Sequence, residues 1–514
     1  MATETLDAAP STMPTSSPVN GPGAVPLPLD PLLTDPLRDL LQERTLLHDL
    51  VRALGSPLNL VLPQAVATNV DRFRAVYRDH GLSGHVYYAH KANRSSALVR
   101  HLASTPARLD VASLGELQHG LGAGFTPDRL MVTGPKGPEL LWLAARTGAV
   151  VNVDSVAEIA ALAQLVRAHG LPAVPVLVRL TAFPTSGTTM LRRTSRFGID
   201  HRDLATALDL LVEHRDVLHM RGVAYHLDTI GLDEKITALE GCVLALDEAV
   251  RRGLDARVVD VGGGFGVDYL AQPDQWEAWT SALTAAVLGR GPAMTWDGHG
   301  YGLRSENGVL RGALGLYPAS RPLAGPRYLD ALLSATAPTL GRPLATLLQE
   351  GLYDLWTEPG RAMVDQAGAV LATVLEVRDT PTGHCLVRLA ANARDISTED
   401  HGVLMDPVLV PAAGREPDGP AQDQGPVGAY LLGNLCLEAD LLSRRAVRLP
   451  RRPAPGDLLA FANTAGYFMD FNADHALHQP VARTVALTRD HGAWDWSLDE
   501  QYWPAPPPTA GSPA

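Results

Sequence analysis

The stretch Val86–Ser95 reads VYYAHKANRS. Its first half is strand-like, an apolar run built on a valine and two tyrosines. Lys91 follows at the strand's end, trailed by small and polar residues. A lysine so placed has two readings. It is a solvated loop residue, since lysines are almost never fully buried without a partner. Or it is an amine made nucleophilic by a partly desolvated, cationic site, able to hold a carbonyl compound as a Schiff base. What surrounds the stretch decides between them.

From Ala65 to about Leu270 the chain alternates helical stretches, such as Val66–Asp79 and Val156–His169, with short apolar runs. Those runs are HVYYA, ARLDVA, RLMVTG, AVVNVD, VPVLVRL, RGVAYH and ARVVDVGGG. Strand followed by helix at this pitch predicts parallel βα units. Near-continuously apolar strands suit burial on both faces. The expectation is an α/β fold with a (β/α)8 barrel over residues 64–362; a doubly wound open sheet is the second choice. In a barrel, functional side chains gather where strands end. Lys91, Asp110, His226 and Gly262–Gly264 all lie at or near such ends.

Residues 271–345 are less regular and read as an insertion, with WDGHGYGLRSENG as loop and helices over Tyr328–Ala335 and Leu344–Leu352. From about Met363 the texture becomes strand and turn with no long helix, which predicts a β-rich C-terminal domain over 363–495. Residues 29–63 read as a helix and the strand LNLVLP, the strand joining that β-rich domain. Residues 1–28 and 496–514 are rich in Pro, Ser, Thr and Ala and are read as a disordered and a Pro-rich tail.

The whole chain has 514 residues, of which 46% are hydrophobic, as in ordinary globular proteins. A formal net charge of −13 argues against nonspecific nucleic-acid binding and against an anionic membrane surface. The 3 cysteines, Cys242, Cys385 and Cys436, are too scattered for a disulfide framework or a zinc site, and no metal site is expected. No apolar run approaches the roughly 18–20 residues of a membrane span. The N-terminus lacks a basic region followed by an apolar one. A cytoplasmic setting is the expectation.

Several constellations carry chemistry. Gly262-Gly263-Gly264 follows the strand VVDV and lets backbone N–H groups approach a phosphate; it is equally a plain tight turn. Glu358-Pro359-Gly360-Arg361 sets an acid, a turn and a fixed cation within four residues. Alone this is a surface turn. If Lys91 holds pyridoxal phosphate, the acid keeps the pyridine nitrogen protonated and the arginine grips the phosphate. His226 is either a structural histidine or a flat face for the cofactor, with Thr229 donating to the phosphate. Cys436, in GNLCLEADLL, is a small hydrophobe or a proton donor beside Glu438 and Asp440.

The wording and order of these blocks resemble the fold-type III pyridoxal-phosphate decarboxylases that act on diaminopimelate, ornithine and arginine. YAHKAN matches the family's Tyr-Ala-x-Lys-Ala-Asn, LDVASLGEL its Asp-x-Ala-Ser-x-Gly-Glu, and SRFGID its Lys-Phe-Gly element with arginine substituted. VVDVGGGFG matches the phosphate loop and TEPGR the pyridine-nitrogen acid with its phosphate ligands. The matches span about residues 60–480. The resemblance implies an alanine-racemase-like barrel plus a β-rich domain, with Lys91 as the cofactor lysine and Glu358 on the ring nitrogen. It places Gly360, Arg361 and Tyr467 on the phosphate and makes Cys436 the catalytic cysteine. It also implies a homodimer with shared active sites, the cysteine reaching the partner's cofactor.

The departures concern substrate. The family's His-x-Gly-Ser becomes His226-Leu227-Asp228-Thr229, which sets an acid near the cofactor ring. In diaminopimelate and ornithine decarboxylases an acid after the cysteine grips the distal ammonium of the substrate. Here that residue is Leu437, with Glu438 one step later. A buried ammonium without a partner costs several kcal/mol. The order Cys-Leu-Glu-x-Asp resembles divergent members of siderophore and specialised-metabolite pathways, some of which act on distally acylated or conjugated amino acids. Asp228, Leu437, Glu438 and Asp440 are therefore the candidate substrate residues. An amino-acid racemase of the same fold and a silent, cofactor-free regulator are the alternatives. Glu358 stands where a racemase carries arginine, and the intact Lys91, Arg361, Cys436 and Tyr467 argue against the regulator.

Overall fold

The structure is a computed structural model that describes residues 25–183, 195–227, 229, 231–412 and 425–504. Two helices, α1 (Asp35–Gln42) and α2 (Arg44–Leu54), precede the strand β1 (Leu58–Val61). The sequence reading expected one helix here. It breaks at Glu43, whose ψ of 61° leaves the helical region.

Helix α3 (Pro63–Asp79) then opens the barrel, whose strands are β2 (Gly84–Ala89), β3 (Arg108–Val111), β4 (Leu130–Val132) and β5 (Val150–Val153). The next are β6 (Val174–Thr181), with the short β7 (Ile199–Asp200) beside it, β8 (Leu218–Tyr225) and β9 (Val258–Asp260). Helices α4 (Ser96–Ala103), α5 (Leu114–Gly122), α6 (Pro138–Thr147), α7 (Val156–His169), α8 (Leu204–Glu213) and α9 (Leu232–Arg251) alternate with them. The insertion carries α10 (Pro273–Val287), a hairpin β10 (Leu303–Glu306) and β11 (Val309–Gly312), then α11 (Pro326–Ser334) and α12 (Leu344–Glu350). The hairpin corrects the reading of WDGHGYGLRSENG as loop throughout; Asn307-Gly308 at its tip takes the positive φ that such a turn needs. The eighth barrel strand, β12 (Asp354–Thr357), follows the insertion and pairs with both β2 and β9. The β5–β6 pairing closes the ring. All barrel pairings are parallel, as expected.

Strand alternation sorts the barrel's side chains into layers. Tyr87, Met131, Val150, Leu177, Ala224, Val258 and Trp356 pack together inside it. Two residues further along each chain segment, the same inward face carries Ala89, Thr133, Asn152, Arg179, His226, Asp260 and Glu358. An apolar plug therefore supports a polar layer at the strands' C-terminal ends. Trp356 is 3% exposed and its ring lies 4.9 Å from that of Tyr87. Trp356→Ala is expected to destabilise the fold by about 3–5 kcal/mol, measured by denaturant unfolding.

The C-terminal strands are β13 (Gly368–Asp379), β14 (Cys385–Leu389), β15 (Val408–Val410), β16 (Val427–Leu432), β17 (Val447–Leu449), β18 (Leu458–Ala462), β19 (Arg483–Asp490) and β20 (Ala493–Leu498). They form one sheet, in which β1 lies antiparallel to β13 and parallel to β19. Strand β20 runs past residue 495, where the Pro-rich tail was expected to begin. Beyond it, Asp499 accepts from the N–H groups of Ser96 (2.8 Å) and Ala97 (3.0 Å) at the start of α4, a helix N-terminus that favours a carboxylate. Among the described residues no helix is long and apolar enough to cross a membrane.

Candidate active site

Lys91 sits in a 3-10 turn, His90–Ala92, directly after β2. The turn is pinned from two sides. Ala89 N–H donates to Pro359 O (3.4 Å), and Tyr467 N–H from the C-terminal domain donates to Ala92 O (2.8 Å). The Asn93 side chain reaches Ala465 O at 2.9 Å. The next block, DVASLGE, is a strand end followed by a helix cap. Ser113 accepts from Glu116 N–H (3.2 Å), and the Glu116 carboxylate accepts from Ala112 N–H (2.6 Å), in the manner of a capping box.

Three acids share the polar layer, and burial separates their charges. Asp110 is 2% exposed and accepts from the Thr133 hydroxyl at 2.7 Å. Burial, with the charge of Glu358 next, pushes it up to about 8. Asp260 is fully buried; one oxygen accepts from Gly262 N–H at 2.8 Å and the other has no donor. Burial first, and then Glu358, holds it well above the aspartate range. Burial also pushes Glu358 up, but His226, Lys91 and Arg179 outweigh it, and Glu358 ends below its usual range. The negative charge of the layer is thus favoured on Glu358, while burial draws Asp110 and Asp260 towards their protonated forms. Burial acts to lower the Lys91 amine, yet Asp110, Tyr467 and Glu358 leave it above its usual value. It is a held ammonium, still open to the cavity.

His226 Nδ1 accepts from Gly263 N–H at 3.3 Å and lies 3.5 Å from Glu358 Oε2. Burial draws the imidazole below its usual range, against the raising effect of Glu358. Gly262 and Gly264 have φ of +63° and +84°. A Cβ on Gly263 would lie 2.7 Å from Glu358 O, which leaves no room for any side chain. Glu358 N–H closes the arrangement by donating to Gly262 O at 2.8 Å.

Arg361 forms the other end. Its Nη1 donates to Tyr269 Oη at 2.9 Å, and the rings of Phe468, Tyr317 and Tyr467 lie 4.7, 5.0 and 5.3 Å from its guanidinium carbon. Among the described residues it has no carboxylate within ion-pair distance. A half-buried guanidinium so placed has donors to spare for an anion. A Cβ on Gly360 would sit 2.7 Å from the Tyr467 hydroxyl, and Tyr467 itself holds φ of +74°.

A cavity of about 1030 Å³ opens above Lys91 and Glu358, lined also by Arg179, Phe183, Phe197, Asp200, Arg202, His226, Thr229 and Glu234. Thr229 Oγ1 accepts from Gly231 N–H at 3.0 Å at the start of α9. Asp228 lies outside the described residues. Cys436, Leu437, Glu438 and Asp440 do not line this cavity. Cys436 is exposed and Leu437 is 54% exposed on the C-terminal domain. Asp440 holds the loop together from within. It is 7% exposed, and its two oxygens accept from Ala393 N–H (2.9 Å) and Leu435 N–H (2.8 Å), folding the cysteine loop. Sequence reading gave no part to Arg179 or Asp260; the signal was a charged residue breaking an apolar run at its C-terminal end.

Residues 65–295 match the family described as pyridoxal-dependent decarboxylase, pyridoxal binding domain. Over 90% of this chain and 94% of the relative, the sequence is 31% identical to an uncharacterized protein of Sinorhizobium fredii. Diaminopimelate decarboxylase of Archaeoglobus fulgidus is 24% identical, over 87% of this chain and 91% of the relative. The chain belongs to the fold-type III pyridoxal-phosphate-dependent decarboxylases. It is accordingly a carboxy-lyase whose cofactor is pyridoxal 5'-phosphate and whose substrates are amino acids.

Solved structures of such decarboxylases share the fold. The M. jannaschii diaminopimelate decarboxylase in complex with L-lysine aligns with TM-score 0.64 at 18% identity, covering 88% of this chain and 91% of that one. The arginine decarboxylase of Paramecium bursaria Chlorella virus bound to agmatine aligns with TM-score 0.59 at 15% identity, covering 86% and 100%. The residues present fit the cofactor. A lysine, an acid at the end of the eighth strand, a glycine cradle that admits no side chain and a half-buried arginine without a carboxylate among the described residues offer partners for its aldehyde, ring nitrogen and phosphate.

Proposed function

We propose that this decarboxylase acts on an amino acid whose distal end is already acylated or conjugated, and that it works as a homodimer with shared sites. The observation that carries the substrate reading is Leu437, where diaminopimelate and ornithine decarboxylases have an acid. A cavity of about 1030 Å³ beside Lys91 gives room for a conjugated side chain. The exposed Cys436 loop, away from its own chain's cavity, favours its use by a second copy.

In this reading Lys91 holds the cofactor and Glu358 pairs with its ring nitrogen. The glycine loop, Gly360, Arg361 and Tyr467 take the phosphate, with Thr229 at its edge, and His226 lies against the ring. Bound there, pyridoxal phosphate supplies an electron sink for the pair left on the α-carbon when carbon dioxide departs. Glu358, held below its usual range by His226, Lys91 and Arg179, maintains the charge that this sink requires. Cys436 of the partner subunit delivers a proton to the α-carbon. Glu438 flanks that cysteine, and Asp440 fixes the loop that carries both.

Carbon dioxide release across diaminopimelate, ornithine, lysine, arginine, glutamate, and N-acylated or citryl-conjugated diamino acids tests the substrate. A conjugate is expected to exceed the free diamines in kcat/KM by about 10²-fold, the scale of one unpaired charged group. Strong turnover of free ornithine or diaminopimelate would overturn it. For the shared site, Lys91→Ala and Cys436→Ala chains, each inactive alone, are expected to regain activity when mixed and allowed to exchange. Failure to recover activity in verified heterodimers would place the cysteine elsewhere.

A further inference from the structure

The insertion supplies two residues to the phosphate end of the site. Tyr317 packs its ring against Arg361, and Tyr269, which holds Arg361 by hydrogen bond, meets Tyr317 edge-on at 6.0 Å. The Tyr317 hydroxyl accepts twice, from Arg321 Nη1 at 2.8 Å and from Val267 N–H at 3.0 Å. Val267 belongs to the exit of the glycine loop, VGGGFGV. Arg321 is 6% exposed, stands over the Tyr317 and Tyr328 rings, and has no carboxylate within ion-pair distance among the described residues. A Cβ on Gly266, whose φ is +76°, would overlap Arg321 Nη1. Tyr317 N–H also donates to Gly402 O at 2.9 Å, which ties the segment to the C-terminal domain.

A buried, uncompensated guanidinium is costly unless it organises something. Here it joins the exit of the glycine loop, the wall behind Arg361 and the second domain at one point. It also adds positive charge behind the loop, which favours an anion in front of it.

We propose that Tyr317 and Arg321 are positioning residues through which the insertion clamps the glycine loop and Arg361 onto the cofactor's phosphate. The proposal rests on the assignment of Arg361 to that phosphate. The insertion is then part of the cofactor grip, and its exposed hairpin is dispensable for it.

The decisive measurement is the affinity of apoenzyme for pyridoxal phosphate against that for pyridoxal, which lacks the phosphate, by absorbance titration. Tyr317→Phe and Arg321→Ala are each expected to weaken pyridoxal phosphate about tenfold, the scale of one lost hydrogen bond to a charged group. Pyridoxal affinity should be unchanged, since a clamp acting through the phosphate cannot affect it. Arg321→Lys should recover part of the loss, and Val309→Ser on the hairpin should show none. A wild-type ratio in folded Tyr317→Phe, or an equal loss for both ligands, would overturn the clamp. Should Arg321→Ala fail to fold, Tyr317→Phe and Arg321→Lys carry the test. Arg361→Gln separates the two levels. If it too keeps the wild-type ratio, the assignment of Arg361 is wrong; if it alone loses the ratio, only the clamp is.

Discussion

Lys91→Ala is expected to abolish retention of the cofactor after borohydride reduction and the near-visible absorbance of the lysine-bound form. Turnover should fall by about 10³-fold or more, a loss on the scale of removing a group that acts directly on the reacting atoms. No neighbour can take its place. Lys91 is the only lysine lining the cavity among the described residues. Lys136, the next along the chain, is buried in an ion pair with Glu158 at 2.9 Å and donates to Gly134 O and Asn152 O. Lys235 is fully buried behind the glycine loop, with Nζ on Gly263 O. The pinned turn that carries Lys91 uses backbone groups and should survive the truncation, so the variant should still fold. Cofactor fixed by borohydride in folded Lys91→Ala, with full turnover, would remove the lysine from its assigned role.

The gathering of Lys91, His226, the glycine loop and Glu358 was legible because these residues are set by local structure. Lys91, His226 and the glycine loop each end an apolar run, and a parallel barrel brings such ends together. Seven of the eight strands showed as apolar runs. The eighth, Asp354–Thr357, holds only two apolar residues between an aspartate and a threonine and follows the insertion, and TEPGR alone marked its end. Asp260 and Arg179 were hidden for a different reason. Their place follows from which face of the strand turns inward, and that face is fixed only when the layer of Trp356 and its neighbours is known. Arg321 carried no signal, because its partners Tyr317 and Gly266 acquire meaning only once the insertion folds back. Asp440 showed its loop-capping bonds only in the fold, since an acid near a cysteine looks the same in sequence whether it grips a ligand or caps a loop. The tail boundary failed where WDWSL, short and half polar, pairs with β19 at the sheet edge.

Glu358→Gln is expected to leave the cofactor bound and lower turnover by about 10²–10³-fold, comparable to removing one preorganised charge-stabilising group. The amide keeps the shape of the site and the backbone bond from Glu358 N–H to Gly262 O. It removes the negative charge and turns one acceptor oxygen into a donor, so unchanged turnover would refute the role of Glu358 on the ring nitrogen. Its neighbour decides whether that charge is where the geometry places it. Asp260 donates to Glu358 if it carries the proton, as burial and the Glu358 charge both favour. An asparagine can reproduce this, accepting from Gly262 N–H with Oδ1 and donating with Nδ2. Asp260→Asn should therefore stay close to wild type in turnover, whereas Asp260→Ala, which deletes the donor, should lose about tenfold. Stability against pH supplies an independent sign. A group raised in the folded state holds a proton that the unfolded chain has released, so its contribution is full below the ordinary aspartate range and fades as pH rises. Asp260→Asn removes that dependence. Its unfolding temperature, relative to wild type, should climb from acid towards alkaline pH. A difference that falls with pH would mean that Asp260 is the anion and Glu358 the acid, reversing the assignment on which the electron sink depends.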